Sequence, residues 1–296
     1  MKITITGGTG LVGGALRSAL AARGDAVTVV SRTAGPGRVT WDAERGLHDP
    51  AALSGQDAVV HLAGAGVADK RWSAARKREI LDSRIWTTRA VVEALARADP
   101  KPKTFVCASA VGYYGAAGDR LCPEDAPPGD DFLAEVCVAW EREAAKVDPA
   151  IRPVTLRIGL VMSPQGGALA RMLPAFRCGG GGVLGSGDQY MPWIHLDDAI
   201  AGIVHLLDHD DARGAFNLTA PNPVDNRTFT KALGRALSRP TFMRVPAFGL
   251  RALFGELSTA LLGGQRAVPE RLRETGFVFA HPQLDPALAD LLRTAS

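Results

Sequence analysis

The fold is decided by the stretch Thr6-Gly7-Gly8-Thr9-Gly10-Leu11-Val12-Gly13. This stretch lies between the β-branched run at residues 3–5 and a helical pattern that ends at Gly24. In such a loop the first glycine permits a tight turn and the second lets the backbone approach a pyrophosphate. The third allows close packing of helix on strand, and the start of the helix offers free N–H groups to the anion. This context favours dinucleotide binding over an ordinary glycine-rich turn. We expect the dinucleotide to contact Gly7, Gly8, Thr9, Gly10, Leu11, Val12 and Gly13.

Strand and helix signals alternate through the first half of the chain. Further strands are predicted over residues 27–30, 38–41, 57–62, 104–108 and 154–158, and a long helix over residues 73–98. The strand at residues 27–30 is apolar or β-branched throughout, as a sheet covered on both faces requires. The pattern therefore predicts an α/β fold, a Rossmann doubly wound parallel sheet.

The sequence pattern changes near Gly159, where glycine-rich loops and short helical patterns replace the alternation of strands and helices. We therefore predict a dinucleotide-binding domain over residues 1–160 and a smaller, mostly helical C-terminal lobe that binds substrate over residues 161–296. This division leaves open that the chain crosses between the lobes more than once.

Composition excludes several classes of protein. Of the 296 residues, 46% are apolar and 22% charged, which is typical of a globular protein rather than a disordered or fibrous one. The net charge is only +3 and the basic residues are scattered, so no nucleic-acid partner is predicted. The apolar stretches are too short to span a bilayer, so no membrane association is predicted either. The four cysteines form neither CxxC nor a Cys/His cluster, and with no targeting segment after Met1 a cytoplasmic location is the simplest interpretation.

The end of the second strand indicates which dinucleotide is bound. A site that prefers NAD places an Asp or Glu there for the ribose hydroxyls. This strand ends instead in Ser31-Arg32, and a guanidinium can pair with a 2′-phosphate. We therefore predict NADP as the cofactor, with NADPH preferred over NADH. Asp42 could accept a hydrogen bond from the adenine or be a simple turn carboxylate, and the small residues of Leu62-Ala63-Gly64 would let the cofactor cross the strand ends.

Four segments together resemble the extended short-chain dehydrogenase/reductases, which are NAD(P)-dependent epimerases and dehydratases. They are the glycine-rich loop and residues 57–64, 109–115 and 192–198. The chain resembles most an atypical branch called "epimerase family protein", with which it shares Lys70-Arg71-Trp72, Ser83-Arg84, Asn217-Leu218, Pro221-Asn222-Pro223, Gly264-Gln265-Arg266 and Gly276-Phe277. In the larger family two helices beside the sheet commonly form a dimer surface. A homodimer is therefore compatible with the resemblance, although nothing in the sequence marks one.

A typical member of that family carries a Tyr-x-x-x-Lys pair on one helix, where the Lys lowers the pKa of the phenol and makes it a usable acid or base. The tyrosines of this chain are Tyr113, Tyr114 and Tyr190, and four residues after them stand Ala117, Gly118 and Ile194. The chain therefore contains no Tyr-x-x-x-Lys.

The resemblance also assigns positions. It places Leu133 and Cys137 where a typical member has the Tyr and the Lys, Ser109 at the upstream Ser and Arg84 at the Asn. It further implies that Arg84 faces the cofactor, with Glu79 near the same edge, and that Leu160 passes the nicotinamide. As ordinary surface charges of a helix, Glu79 and Arg84 would instead form solvated pairs.

The candidate catalytic residues are Ser109, Tyr113 and Cys137. A serine can donate or accept a hydrogen bond beside a substrate carbonyl, and Tyr113 or its neighbour Tyr114 could supply a phenol. An ordinary loop aromatic is the alternative for the tyrosine, and a buried structural thiol is the alternative for Cys137.

Substrate contacts are expected from Gln189, Trp193 and His195, which would reach the cleft between the lobes. His195 followed by Asp197-Asp198 could also form a metal site, but a helix start capped by an Asp is the favoured interpretation, so no metal is predicted.

Two functions remain open. One is an NADP-dependent oxidoreductase or epimerase acting on a small polar substrate, such as a carbonyl compound or a sugar nucleotide. The other is a non-catalytic NADP(H)-binding regulator that has the fold without the acid/base pair, because fold alone does not decide function.

Overall fold

The strands and helices follow the alternation that the sequence predicts. The structure, a computed structural model, describes residues 1–33, 35, 38–42, 46–47 and 50–293. The strands are β1 (Lys2–Thr6), β2 (Ala26–Ser31), β3 (Arg38–Asp42), β4 (Gly46–Leu47), β5 (Ala58–His61), β6 (Thr104–Ala110), β7 (Leu121–Cys122), β8 (Arg152–Ile158), β9 (Leu160–Ser163), β10 (Gly182–Leu184), β11 (Tyr190–Met191), β12 (Trp193–His195), β13 (Gly214–Leu218), β14 (Val224–Asp225), β15 (Met243–Val245) and β16 (Arg266–Ala267). The helices are α1 (Leu11–Ala22), α2 (Ala74–Arg97), α3 (Phe132–Ala144), α4 (Gly167–Arg177), α5 (Leu196–Asp208), α6 (Asn226–Ala236), α7 (Ala247–Phe254), α8 (Ser258–Leu262), α9 (Glu270–Glu274) and α10 (Leu284–Arg293).

The central sheet confirms the predicted doubly wound Rossmann fold. Its strand order is β13-β8-β6-β5-β1-β2-β3-β4. All its pairings are parallel except that of β4 with β3. The order runs outward in both directions from β1, between its neighbours β2 and β5, and ligands of such sheets bind outside the carboxyl ends of the strands at this point.

Helices cover both faces of the sheet, which explains its nearly continuous apolar strands. On one face Leu16 of α1 and Ile203 of α5 pack in a single buried cluster with β1, β6 and β8. On the other face α2 and α3 contribute Val91, Leu95 and Trp140 to a second cluster. Burial of each large apolar side chain stabilises the fold by roughly 1.5–3 kcal/mol, so these two clusters hold the strand ends in place.

The chain leaves the central sheet after β8 and returns to it at β13. β9 pairs with β12 outside the central sheet. The following helix α5 packs on α1, and β13 becomes the edge strand of the sheet beside β8. The sheet therefore draws residues from both sides of position 160.

The C-terminal lobe is built mainly from helices α4, α6 and α10 around a third apolar cluster, which includes Leu173, Phe229 and Leu288. Short two-strand pairings such as β10 with β15 connect its loops. Within the described ranges, no helix has both the length and the apolar composition that a membrane span requires.

Candidate functional site

The glycine-rich loop joins β1 to α1 at the carboxyl edge of the sheet. Gly7 has a φ of +71°, in the left-handed region, and its carbonyl oxygen accepts a hydrogen bond of 3.0 Å from the Gly10 N–H. Gly10 precedes α1, and no side chain of the described residues caps this helix. The first N–H groups of α1 are therefore available to a ligand, as at other anion-binding helix starts.

Close packing explains two of the glycines. A Cβ on Gly7 would lie 2.8 Å from the backbone carbonyl of Leu62, at the end of β5. A Cβ on Gly13 would lie 2.3 Å from the Gly7 carbonyl oxygen. A larger residue at position 7 would push the loop away from the end of the sheet, and one at position 13 would push α1 away from the loop. Both glycines therefore shape the surface that meets the ligand.

A cleft of about 600 Å³ opens in front of this loop, which is within the usual range for small-molecule sites. Nine of the predicted cofactor residues line it, namely Gly7, Thr9, Gly10, Ser31, Arg32, Leu62, Ala63, Gly64 and Glu79. The other lining residues were not predicted, and they are Val30, Thr33, Arg38, Trp41, Ala65, Asp82, Ser83, Trp86 and Thr87.

Two guanidinium groups line the cleft from neighbouring strands. Arg32 directly follows β2, and Arg38 is the first residue of β3, where it pairs in register with Val29. Ser31 and Thr33 line the cleft beside them, and the Ser31 hydroxyl accepts the Thr33 N–H at 3.2 Å. Guanidinium forks and hydroxyls are groups that bind phosphate well.

One face of α2 forms another wall of the cleft. Glu79, Ser83, Trp86 and their neighbours at helical spacing line it. The Glu79 carboxylate pairs with the Arg76 guanidinium at 2.6 Å. The Trp86 side chain is 42% exposed, so it presents an aromatic face on which a nucleobase could stack.

Several predicted cofactor residues do not line the cleft. Gly8, Val12 and Gly13 belong to the loop and the first turn of α1 but lie outside its lining, and the Leu11 side chain packs towards Gly166 and Gly167 instead. Asp42 ends β3 in register with Gly46. Leu160 begins β9, and its N–H donates to the Pro192 carbonyl oxygen at 2.7 Å. Neither Asp42 nor Leu160 is among the residues that line the cleft.

Arg84 lies behind the lining residues of α2. Its Nη1 donates to the carbonyl oxygens of Ala65 at 3.1 Å and Ile80 at 2.9 Å, and its guanidinium lies 4.9 Å from the Trp140 ring centroid. Burial lowers the pKa of this guanidinium, and no carboxylate among the described residues forms an ion pair with it. A positive charge therefore stands next to Gly64 at the edge of the cleft.

The Ser109 hydroxyl is engaged within the fold. Ser109 is 3% exposed, and its hydroxyl donates to Oε1 of Glu141 on α3 at 2.7 Å. The two carboxylate oxygens of Glu141 also accept from Nε and Nη2 of Arg157 on β8, both at 2.9 Å. The serine proton therefore points at α3 and is not available to a substrate carbonyl in this arrangement.

The two neighbouring tyrosines differ in their surroundings. The Tyr114 hydroxyl donates to Asn217 Oδ1 at 2.7 Å and accepts from Arg157 Nη1 at 3.0 Å. Burial raises the pKa of Tyr114 to about 12, so this phenol is a structural group. The half-buried Tyr113 lies with its ring centroid 3.5 Å from the Arg157 guanidinium, and in the described part of the chain its hydroxyl has no hydrogen-bond partner.

Leu133 and Cys137 share one face of α3, four residues apart, and pack on Gly112. Burial, followed by the nearby Glu141 carboxylate, raises the pKa of the Cys137 thiol to about 11. The thiol is therefore protonated at neutral pH, whereas a nucleophilic cysteine needs its thiolate.

None of the three predicted substrate residues lines the nucleotide cleft, and the prediction placed them in the cleft between the lobes instead. The Gln189 amide donates to the carbonyl oxygens of Leu184 at 3.1 Å and Leu261 at 3.3 Å. Trp193 is 1% exposed within the apolar cluster of the C-terminal lobe. His195 precedes α5, and its own Nδ1 accepts the Asp197 N–H at 3.1 Å. The expected cap by an Asp is therefore wrong, because the imidazole of His195 caps this helix.

Some lining residues could have been found from the sequence. Arg38 is the first residue of the third predicted strand. If that strand pairs with the second, Arg38 comes near Arg32, so the sequence could have predicted a second guanidinium at this place. Asp82, Ser83 and Trp86 lie three, four and seven residues after Glu79, so they share its face of α2 and could have been predicted with it. No local signal indicates Trp41, whose position depends on how β3 packs against His61.

Known proteins resemble the whole chain. A family profile described as NAD dependent epimerase/dehydratase family matches residues 3–219, and a domain of unknown function (DUF1731) matches residues 245–291. An epimerase family protein of Mycobacterium bovis is 43% identical over 290 residues, which are 97% of this chain and 96% of that protein.

Solved structures agree with this likeness. The crystal structure of human epimerase family protein SDR39U1 with NADPH matches with a TM-score of 0.93 and 37% identity, covering 99% of each chain. A nucleoside-diphosphate sugar epimerase from Corynebacterium glutamicum matches with a TM-score of 0.80 and 32% identity, covering 99% of this chain and 58% of that one.

Proposed function

The chain belongs to the NAD dependent epimerase/dehydratase family, and from that premise we propose that it binds NADP(H) and acts as an oxidoreductase or epimerase. The substrate class that we propose is a small polar compound, either a carbonyl compound or a sugar nucleotide. The human relative crystallised with NADPH supports this choice of cofactor.

The residues of the cleft fit such a cofactor. The N–H groups at the start of α1 would hold the pyrophosphate, since no described side chain caps that helix. Arg32 and Arg38 would hold the 2′-phosphate, with Ser31 beside them. When bound, the nicotinamide supplies or accepts a hydride, and the protein orients the substrate, excludes water and handles the proton.

The two guanidinium groups carry the proposal that NADPH is preferred over NADH. A carboxylate at the end of β2 would favour NADH by accepting hydrogen bonds from the ribose hydroxyls. Here that position holds Ser31 and Arg32, and the next strand adds Arg38. A 2′-phosphate gains charge-assisted hydrogen bonds from these side chains, whereas a 2′-hydroxyl gains little.

Titration of the protein fluorescence with NADPH and NADH tests this preference. We expect tighter binding of NADPH, and a roughly 10- to 100-fold loss of NADPH affinity in Arg32→Ala or Arg38→Ala, since a hydrogen bond to a charged group contributes roughly 1.5–3 kcal/mol. NADH affinity should change little. Arg17→Ala, an exposed arginine on α1, is the matched control and should bind both nucleotides normally. Equal affinities of the wild-type protein for the two nucleotides would refute the preference.

Tyr113 is the proposed proton donor or acceptor, because the other two candidates are engaged or buried. Ser109 donates to Glu141, and the Cys137 thiol is protonated. With a panel of carbonyl compounds and sugar nucleotides, turnover is followed by the absorbance of the nicotinamide. We expect Tyr113→Phe to abolish turnover while NADPH affinity is retained, and Cys137→Ser to keep both.

A non-catalytic NADP(H)-binding regulator is the second candidate function. The observation that favours it is the apolar face of α3, where Leu133 and the protonated Cys137 stand and no acid/base pair is present. Tight NADPH binding without turnover of any compound in the panel would support the regulator over the enzyme.

A further inference from the structure

A cluster of two histidines and two aspartates lies outside the nucleotide cleft. His195 precedes α5, Asp197 lies in its first turn, His281 precedes α10 and Asp290 lies on α10. One ligand atom from each of these residues lies within 4.8 Å of the others. The proposed function uses none of them.

His195 directs a buried nitrogen into this cluster. The residue is 2% exposed, and its Nε2 is buried without a hydrogen-bond partner. The nearest carboxylate oxygen is Oδ2 of Asp290, at 3.5 Å. A buried polar atom without a partner costs roughly 1–3 kcal/mol, and the binding of an ion is one of the recognised explanations for such an atom.

The fold also holds the second histidine in place. Asp198 is 1% exposed, and its two carboxylate oxygens accept the backbone N–H groups of Ala280 at 2.8 Å and His281 at 2.9 Å. This fixes the backbone before α10, so that the His281 ring lies 3.8 Å from the His195 ring, with an angle of 18° between the planes. A buried carboxylate is thus used to bring a histidine from a distant segment onto His195.

We propose that His195 Nε2, a ring nitrogen of His281 and a carboxylate oxygen of Asp290 bind one divalent transition-metal ion, with Zn²⁺ as the expected ion. Two imidazoles and a carboxylate suit Zn²⁺, whereas Mg²⁺ and Ca²⁺ favour sets made of oxygen ligands. Water completes the coordination of the ion.

Asp197 would orient His195 from the other side of the ring. Without metal, Nδ1 accepts the Asp197 N–H, so the neutral ring carries its proton on Nε2. On binding, Nε2 releases that proton to solvent and Nδ1 takes one up, so Nδ1 no longer accepts the Asp197 N–H and donates instead to the Asp197 carboxylate, whose Oδ2 lies 3.8 Å from it. A ring nitrogen binds a metal through a lone pair that lies in the plane of the ring. The half-buried His281 ring therefore rotates out of its stacked position on His195 when the ion binds.

The site would connect the start of α5 to α10, which are far apart in the sequence. A metal that binds only the folded chain stabilises it by mass action. Its role is therefore structural, holding the C-terminal helix on the lobe, and it is independent of the nucleotide cleft.

Titration of tag-free, metal-stripped protein with Zn²⁺ in competition with a chromogenic chelator tests the site. We expect one Zn²⁺ per chain, a Tm that rises with Zn²⁺ concentration, and no comparable effect of Mg²⁺. His281→Gln and Asp290→Asn should each lower Zn²⁺ affinity at least tenfold and abolish the rise in Tm. His209→Gln is the matched control, because it removes one member of another histidine pair, His205 and His209, at the opposite end of α5.

Unchanged NADPH affinity of the variants shows that they are folded, so a loss of Zn²⁺ binding can be assigned to the site. The proposal is overturned if His281→Gln binds Zn²⁺ as tightly as the wild-type protein, if His209→Gln loses binding equally, or if Mg²⁺ has the same effect as Zn²⁺. None of these results bears on the proposed NADP(H) function.

Discussion

At the scale of single residues, the close packing of the nucleotide loop requires a glycine, which has no Cβ, at particular positions. Gly13 lies where a Cβ would come within 2.3 Å of the Gly7 carbonyl oxygen, while a Cβ on the next residue, Gly14, would lie 3.9 Å from its nearest neighbour. The two glycines are adjacent on α1, yet only the first is required by packing.

This difference predicts opposite effects of two alanine substitutions. Gly13→Ala should lower the free energy of unfolding by roughly 1–3 kcal/mol through overpacking and should weaken NADPH binding. Gly14→Ala should raise the free energy of unfolding by up to about 1 kcal/mol, because alanine favours helix over glycine. Denaturant unfolding and NADPH titration of both variants provide the measurement. A neutral Gly13→Ala variant would contradict the packing argument.

At the scale of elements, an ion pair connects α3 to β8 beside the short 3-10 helix Val111–Tyr114, which carries Tyr113. The Glu141 carboxylate accepts from Arg157 in bidentate fashion and also from Ser109. The side chains of Arg157 and Glu141 are 5% and 17% exposed. The Arg157 guanidinium, whose pKa these contacts raise, in turn supports the Tyr113 ring.

Removing one partner of this pair should be costly. We expect Glu141→Gln to lower the free energy of unfolding by about 3 kcal/mol, because it leaves a buried guanidinium without its counter-charge. Glu93→Gln, the same substitution in an exposed pair of α2 with Arg97, should cost at most about 0.5 kcal/mol. Urea unfolding measures both, and equal losses in the two variants would contradict a special role for Glu141.

At the scale of the whole molecule, a buried histidine in the central sheet makes folding sensitive to acid. His61 ends β5, is fully buried, and contacts the hydroxyls of Thr6 at 2.6 Å and Thr88 at 3.0 Å. Burial lowers the pKa of His61 from 6.5 to about 3. Between these values the unfolded chain binds a proton that the folded chain does not, so stability falls as the pH decreases below 6.5 and is fully present above it.

The free energy of unfolding should therefore decrease by up to about 1.4 kcal/mol for each pH unit between pH 6.5 and pH 3 on account of this one group. His61→Gln should remove that part of the slope, although it lowers stability at neutral pH by disturbing the two hydroxyl contacts. Urea unfolding at several pH values gives both slopes. An unchanged slope in the variant would assign the acid sensitivity to other groups.

Much of the molecule could be predicted because its signals are local. A glycine-rich loop between a strand and a helix determines its own backbone, and nine predicted residues line the cleft because strand ends meet at one edge of a parallel sheet. The count of three tyrosines likewise excludes a Tyr-x-x-x-Lys pair without any structure.

The remaining features are contacts between distant segments, which no local pattern encodes. The Ser109 hydroxyl donates its hydrogen bond to Glu141, Trp193 is buried in the apolar cluster around α4, α6 and α10, and His195 contacts His281 only after α5 and α10 have packed. The sequence by itself determined the Rossmann sheet, the nucleotide loop and the arginine at the end of β2, because these depend on neighbours along the chain. The tertiary structure alone decided which polar groups face the cleft and which are engaged in the interior, because a side chain forms the hydrogen bonds that its packed neighbours allow.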